Sequence, residues 1–251
     1  LSVLHHRTTS QYNDVDLQLL AHIAQASDKY QCNEVLSPWV FRWLRESQHP
    51  GDAAEHGLLL MAAWRFKAED EFPAISAEAV KHLPLGFSGL WSEYDILSAF
   101  PPHIKSKQLE SQRRLILTRL HEEVQSSVGN LQGNTRAFAK YQLLCSFCSR
   151  MHPGGSKQCH PCKNKGLLDT WCTSQTRVAE YLEFLCKNKL WPSITPFLSC
   201  SVTEITSRLA GLNVERRHRC EGGSDCPLKV ELNGLRGRTR RIVESVSGVR
   251  L

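Results

Sequence analysis

Long apolar runs are missing from this 251-residue chain. A stretch such as Leu58-Leu59-Leu60-Met61-Ala62-Ala63-Trp64 falls far short of the roughly 18 apolar residues that a membrane-crossing helix needs. No transmembrane helix is therefore expected. Catalytic signatures are missing too. There is no G-x-S-x-G, no H-E-x-x-H and no glycine-rich loop to cradle a phosphate. His121-Glu122-Glu123 lacks the second histidine that a metalloprotease helix requires and reads as a solvated helix face, while His5-His6 reads as a helix end. The chain opens on Leu1, with no initiator methionine and no basic, apolar-cored leader, so it reads as a piece of a longer protein whose targeting signal would lie upstream. What is present, 41% hydrophobic and 22% charged residues, is ordinary globular composition.

Cysteine is almost missing from the first part of the chain and concentrated in the second. Cys32 stands alone before residue 145, and nine cysteines lie between Cys145 and Cys226. Charge divides at the same place: residues 1–144 carry 14 Lys/Arg against 16 Asp/Glu, net −2, and residues 145–251 carry 17 against 9, net +8. Four thiolates on one divalent ion contribute −2, so part of that positive excess can balance a metal–thiolate site. Two segments of different chemistry follow, about 1–140 and about 141–251.

The first segment reads as successive helices, with no strand alternation anywhere in 1–144. After Asp14 as N-cap, Val15, Leu19, Ile23 and Ala26 recur at spacings of three and four. A second helix starts near Ser37-Pro38 and carries Trp39, Val40, Trp43 and Leu44; a third covers about 54–67 and a fourth about 74–82. The longest, 101–128, places Leu109, Ile116, Leu120, Val124 and Val128 on one stripe. Gly129–Thr135 reads as a hinge. In the second segment helices are expected over 176–190, from the capping pattern Ser201-Val202-Thr203-Glu204 to Gly211, and from Asp225 through Leu228, Leu232 and Leu235. The cysteine-rich stretches are expected as loops between these helices, and the fold class as all-α: a bundle-like helical segment followed by a small, zinc-stapled helical one.

Several short runs resemble the fungal BTB/POZ-domain proteins: Val3-Leu4-His5-His6-Arg7, Asp28-Lys29-Tyr30-Gln31-Cys32, Ser37-Pro38-Trp39-Val40 with Trp43-Leu44, and Met61-Ala62-Ala63-Trp64. Gly166-Leu167, Lys189-Leu190-Trp191-Pro192 and the Cys220/Cys226 run are similar to the C-terminal part of the same proteins. The resemblance implies the end of a BTB domain with its helical extension, most of the BTB core lying outside this sequence. It implies an adaptor or scaffold that binds other proteins, with self-association through the absent core, and not an enzyme.

The residues themselves carry one sharp chemical signal. Cys145-x-x-Cys148 is followed after ten residues by Cys159-x-x-Cys162, and two such knuckles supply four thiolates to a tetrahedral zinc ion. The ten-residue span is short for zinc sites, and neither knuckle has the glycine that often follows its second cysteine. The competing reading makes Cys145 and Cys148 small core residues at a helix end. Disulfides are disfavoured, because nine cysteines leave one unpaired and no secretion signal is seen. A second metal set is expected from His218, Cys220 and Cys226 with a fourth ligand from Cys172 or Cys200, Cys172 preferred; Cys186 is expected to be core packing. The arginines at 216–219 and 236–241 are the one candidate for DNA or RNA, yet no aromatic residue is interleaved with them for base stacking. The sequence thus favours a zinc-stapled, intracellular adaptor, nuclear or cytoplasmic, with a zinc-dependent nucleic-acid-binding regulator as the alternative.

Overall fold

A computed structural model describes residues 15–46, 50–212 and 218–251. Asp14, the run Val3–Arg7 and Arg216-Arg217 lie outside the described residues. The chain forms two compact units. The first holds the residues up to Thr118 with Phe197–Glu204 and Val243–Leu251; the second holds Arg119–Pro196 and Ile205–Ile242. The division differs from the 1–140 and 141–251 expected, because the hinge at Gly129–Thr135 does not form. Helix α7 (Ser111–Gly133) runs straight through it. The backbone that follows is tied down instead, since the buried guanidinium of Arg177 donates to the carbonyls of Asn134 and, at 2.7 Å, Arg136.

In the first unit α1 (Leu17–Lys29) begins two residues later than expected. Asp16 is the N-cap and accepts from the Leu19 amide at 2.7 Å. The phase of the helix moves with it: Leu20, Ala21, Ala24 and Ser27 are buried, Ile23 is half-buried, and Leu19 and Ala26 face outward. Helix α2 (Asn33–Glu46) starts ahead of Pro38, which sits inside it, and buries Leu36, Val40, Trp43 and Leu44. Helix α3 (Ala53–Arg65) is apolar on every side and buried continuously from His56 to Ala63, so it forms the centre of the unit. Gly57 lets Trp91 close on that helix; a Cβ there would lie 2.8 Å from the indole, whose Nε1 donates to Ala53 O at 2.7 Å. Helices α4 (Phe72–His82), α5 (Phe87–Ser92) and α6 (Asp95–Ser98) and a π-helical turn, His103–Glu110, complete the layer. Phe100 packs edge-on against both Trp64 and Trp91. Arg113, buried at the start of α7, donates to the carbonyls of Leu83, Leu198 and Cys200 at 2.6–3.0 Å.

The second unit is where the all-α expectation fails. The chain is mostly helical, but β1 (Phe138–Cys145), β2 (Met151–Pro153) and β3 (Leu167–Cys172) form an antiparallel sheet in the order β2-β1-β3. A bulge between Ala139 and Leu143 breaks the period of two on which strand recognition depends, and most of β1 is only half-buried. Helix α8 (Ser174–Lys187) packs on β3 and most of α11 (Pro227–Glu244) belongs to this unit, while the short α9 (Thr195–Ser199) and α10 (Val202–Ala210) each have residues in both units. Thr173 caps α8 in a capping box with Thr176, and Ser201 caps α10 by accepting from the Glu204 amide at 3.1 Å. Pro227 occupies the first position of α11, and Gly234 and Gly237 lie within the helix without ending it. Between the unit's elements, Tyr181 donates to Val124 O at 2.9 Å, and Arg238 binds Glu123 and Glu231 at 2.6 Å each.

Candidate metal centres

The strand ends, rather than loops between helices, carry the first set of ligands. Cys145 closes β1, and the chain turns through Ser146-Phe147-Cys148 before returning as β2; Cys159-His160-Pro161-Cys162 makes the matching turn ahead of β3. The two turns share one backbone pattern. In the first, Cys145 N donates to Arg150 O and Ser149 N to Cys145 O, at 2.9 and 3.0 Å; in the second, Cys159 N donates to Asn164 O and Lys163 N to Cys159 O, at 2.7 and 2.8 Å. Ser149 and Lys163, each directly after the second cysteine, adopt φ of 54° and 59°. The left-handed conformation that glycine supplies without strain is therefore present in both knuckles without the glycine.

These turns bring Cys145, Cys148, Cys159 and Cys162 together, with all four sulfurs within 4.8 Å of one another. Sulfur pairs stand at 3.4 Å (Cys148–Cys159), 3.5 Å (Cys145–Cys162) and 3.7 Å (Cys148–Cys162), close to the roughly 3.8 Å edge of a tetrahedron with 2.3 Å zinc–sulfur bonds. All ten cysteines are free thiols. Four thiols this close cannot all ionise unaided. The amide of Cys148, with that of Phe147, draws the Cys145 thiol down to about 6, whereas burial pushes Cys159 up to about 12. A divalent cation removes that conflict by accepting all four as thiolates. Of the neighbouring histidines, His160 is exposed and His152 is buried beside the cluster with Nε2 unpaired; neither belongs to the four-ligand group.

The second set joins residues far apart in sequence: Cys172 at the end of β3, and His218, Cys220 and Cys226 around the turn preceding α11, all buried and with ligand atoms within 4.8 Å of one another. Cys172 and Cys226 are 3.8 Å apart, and His218 Nε2 lies 3.4 Å from Cys172 and 3.1 Å from Cys226. Cys172 is thus the fourth member, as preferred. Cys200 lies in the other unit, its carbonyl bound by Arg113. Burial opposes charge on His218, yet the Cys226 thiolate and Glu180 raise it to about 10. Cys226 is drawn down to about 3 by the Cys172 thiol and His218, and Cys172 is pushed up by Cys226 and by burial. Burial and these mutual contacts thus push these groups in opposite directions, and a divalent cation would take all three cysteines of the site as thiolates with a neutral imidazole.

Three residues supporting this second site were not expected from sequence. Glu180 accepts from His218 Nδ1 at 2.6 Å, which turns Nε2 toward the cysteines, and its other oxygen pairs with Lys140. Burial works against ionisation of Glu180, but these two donors hold its carboxyl below the ordinary range. Arg177 donates to Cys172 O at 3.0 Å and approaches Cys172 Sγ at 3.8 Å, placing a buried cation next to a set of three thiols and a histidine. The available signal was the spacing Arg177, Glu180, Tyr181, Phe184, which puts two charges on the inward side of α8. Cys186, expected in the core, is exposed one position beyond buried Leu185.

Comparison of the chain with family models, with curated proteins and with solved structures found no match. The resemblance to fungal BTB/POZ proteins rests on the short sequence runs alone. Among the described residues no helix is long and apolar enough to cross a membrane.

Proposed function

We propose that this chain is a protein–protein interaction adaptor, the C-terminal part of a fungal BTB/POZ-like protein, held in shape by two structural zinc ions. One observation carries the reading. Each metal set is filled by four protein ligands, which leaves no open position for a substrate or a water molecule, the arrangement of structural rather than catalytic zinc. The donors suit zinc by their chemistry, four thiolates at one site and three with an imidazole at the other, and the Glu180–His218 pair is the outer support such sites use. Ten free thiols fit a reducing compartment, which favours the nucleus or cytoplasm.

The nucleic-acid alternative loses support in the basic run, because Arg238 is committed to Glu123 and Glu231 and Arg236 donates to Asn233 and to the Leu212 carbonyl. Elemental analysis and retention on nucleic acid test the two readings together. Two equivalents of zinc per chain, with only weak, steeply salt-dependent binding to random DNA and RNA, is the expected result. No metal, or binding at about 0.15 M salt well tighter than the roughly micromolar background of a basic protein, overturns it.

A further inference from the structure

Apart from Val230 on α11, the large exposed apolar side chains of the second unit gather on its sheet. Tyr141, Phe147, Met151, Leu168 and Trp171 all lie within the strands and the first knuckle, and Phe147 is 78% exposed. The tryptophans of the first unit, by contrast, are buried or half-buried. Strand β3 stands at the sheet edge, hydrogen-bonded to β1 on one side; its Leu167 amide already donates to Lys165 O at 2.9 Å and its Trp171 carbonyl already accepts from Thr176 Oγ1 at 3.0 Å, so the open part of the edge is its middle. Edge strands are ordinarily blunted by charge or proline along their length. This one carries Leu168, 53% exposed, and Trp171, 52% exposed, at positions of opposite parity, with Asp169 its only charge.

Two cations, Lys163 and Lys165, lead into the strand and lack carboxylate partners, while Arg150 and Lys157 flank β2 at the opposite edge of the sheet. Arg150, Lys157, Lys163 and Lys165 are exposed and make no ion pair among the described residues, and Lys163 and Lys165 immediately precede β3. Residues 163–172 thus hold two cations against Asp169, net +1. The geometry points to the free edge of β3 as the place where this chain takes up an extended, acidic segment of a partner protein, by addition of a strand. This rests on the adaptor reading above and names its surface. Main-chain bonds along the edge would supply affinity; Leu168 and Trp171 would each receive one parity of apolar side chains, and the lysines would receive the carboxylates. In an antiparallel pairing with a second copy, Asp169, near the middle of the strand, would face its own counterpart.

Phage display of random twelve-residue peptides on the full chain as purified is the experiment, followed by fluorescence anisotropy of a selected peptide. Enrichment of Asp/Glu with alternating apolar residues is expected. So is a loss of binding of about tenfold or more in the Lys163→Glu/Lys165→Glu variant and in Leu168→Asp, both retaining two zinc ions, with Leu19→Asp on α1 unaffected. N-methylation of alternate peptide amides should abolish binding in one frame and spare it in the other, which tests the edge without altering the protein. Selection without acidic enrichment, no selection, or binding indifferent to these changes overturns the inference but leaves the adaptor reading standing. Tighter binding of twelve-nucleotide single strands, lost in the same variants, overturns both. Concentration-dependent dimers abolished by Leu168→Asp would assign the edge to a second copy and likewise overturn the inference.

Discussion

Replacing Glu180 by Gln tests the second metal centre through a residue that is not a ligand. Glu180 is the acceptor that fixes His218 with Nε2 toward the cysteines, and the 2.6 Å contact is short enough for a charge-assisted bond. Glutamine keeps the volume but removes the charge, and its amide can present a donor where His218 Nδ1 needs an acceptor. Loss of such outer support typically weakens metal affinity by about 10- to 100-fold, or about 1.4–2.7 kcal/mol. A further cost should appear in stability and not in affinity: Lys140, whose side chain is 10% exposed, loses the carboxylate it pairs with. Lys140→Met separates the two effects, since it removes the cation and leaves the Glu180–His218 bond. The assay is competition with a chromophoric chelator, with cobalt substitution distinguishing a site of four sulfurs from one of three sulfurs and a nitrogen. One ion should leave Glu180→Gln at a lower chelator concentration than in wild type, with the change in the three-sulfur spectrum alone. Unchanged release of both ions, or weakening at Cys145/Cys148/Cys159/Cys162, would refute the reasoning.

Other perturbations have equally definite outcomes. Cys148→Ser should remove several kcal/mol by breaking a site whose intact binding energy is on the order of 10 kcal/mol, whereas Cys186→Ser, at an exposed position, should shift stability by less than about 0.5 kcal/mol; equal melting shifts would favour simple packing. At the left-handed positions Ser149 and Lys163, glycine should be neutral or stabilise by up to about 1 kcal/mol, the relief of strain being partly offset by unfolded-chain entropy, while valine should destabilise by about 1–2 kcal/mol. Urea titrations of the metal-loaded protein decide this, and a valine variant as stable as wild type would contradict the knuckle geometry. Burial, aided by stacked His82, lowers His56 from 6.5 to about 4. Between those values the unfolded chain binds the proton more readily. The contribution is therefore complete above about pH 6.5, is lost as pH falls toward 4, and reaches about 3 kcal/mol. His56→Phe should flatten that part of the stability–pH curve, and an unchanged curve would show that another group is responsible.

Local chemistry made one site readable in the sequence and left the rest to the tertiary structure. Cys145, Cys148, Cys159 and Cys162 declare themselves because a knuckle is a short-range object: two cysteines three positions apart converge through a single turn. Capped helices are legible for the same reason, as at Ser201–Glu204 and at Pro227. The phase of α1 is not fixed by its sequence, because Asp14 and Asp16 are both competent caps, and only packing against α3 selects the face of Leu20, Ala21 and Ala24. The sheet was not legible, since a bulge in β1 and exposure on both faces erase the alternation that betrays a strand. Membership of Cys172 over Cys200, the outward turn of Cys186, and the support of His218 by Glu180 and Lys140 all depend on which residues the folded chain brings together across 38 positions or more, or on which way a helix faces. Spacing along the sequence carries no information about such distances, and it is long-range packing that decides them.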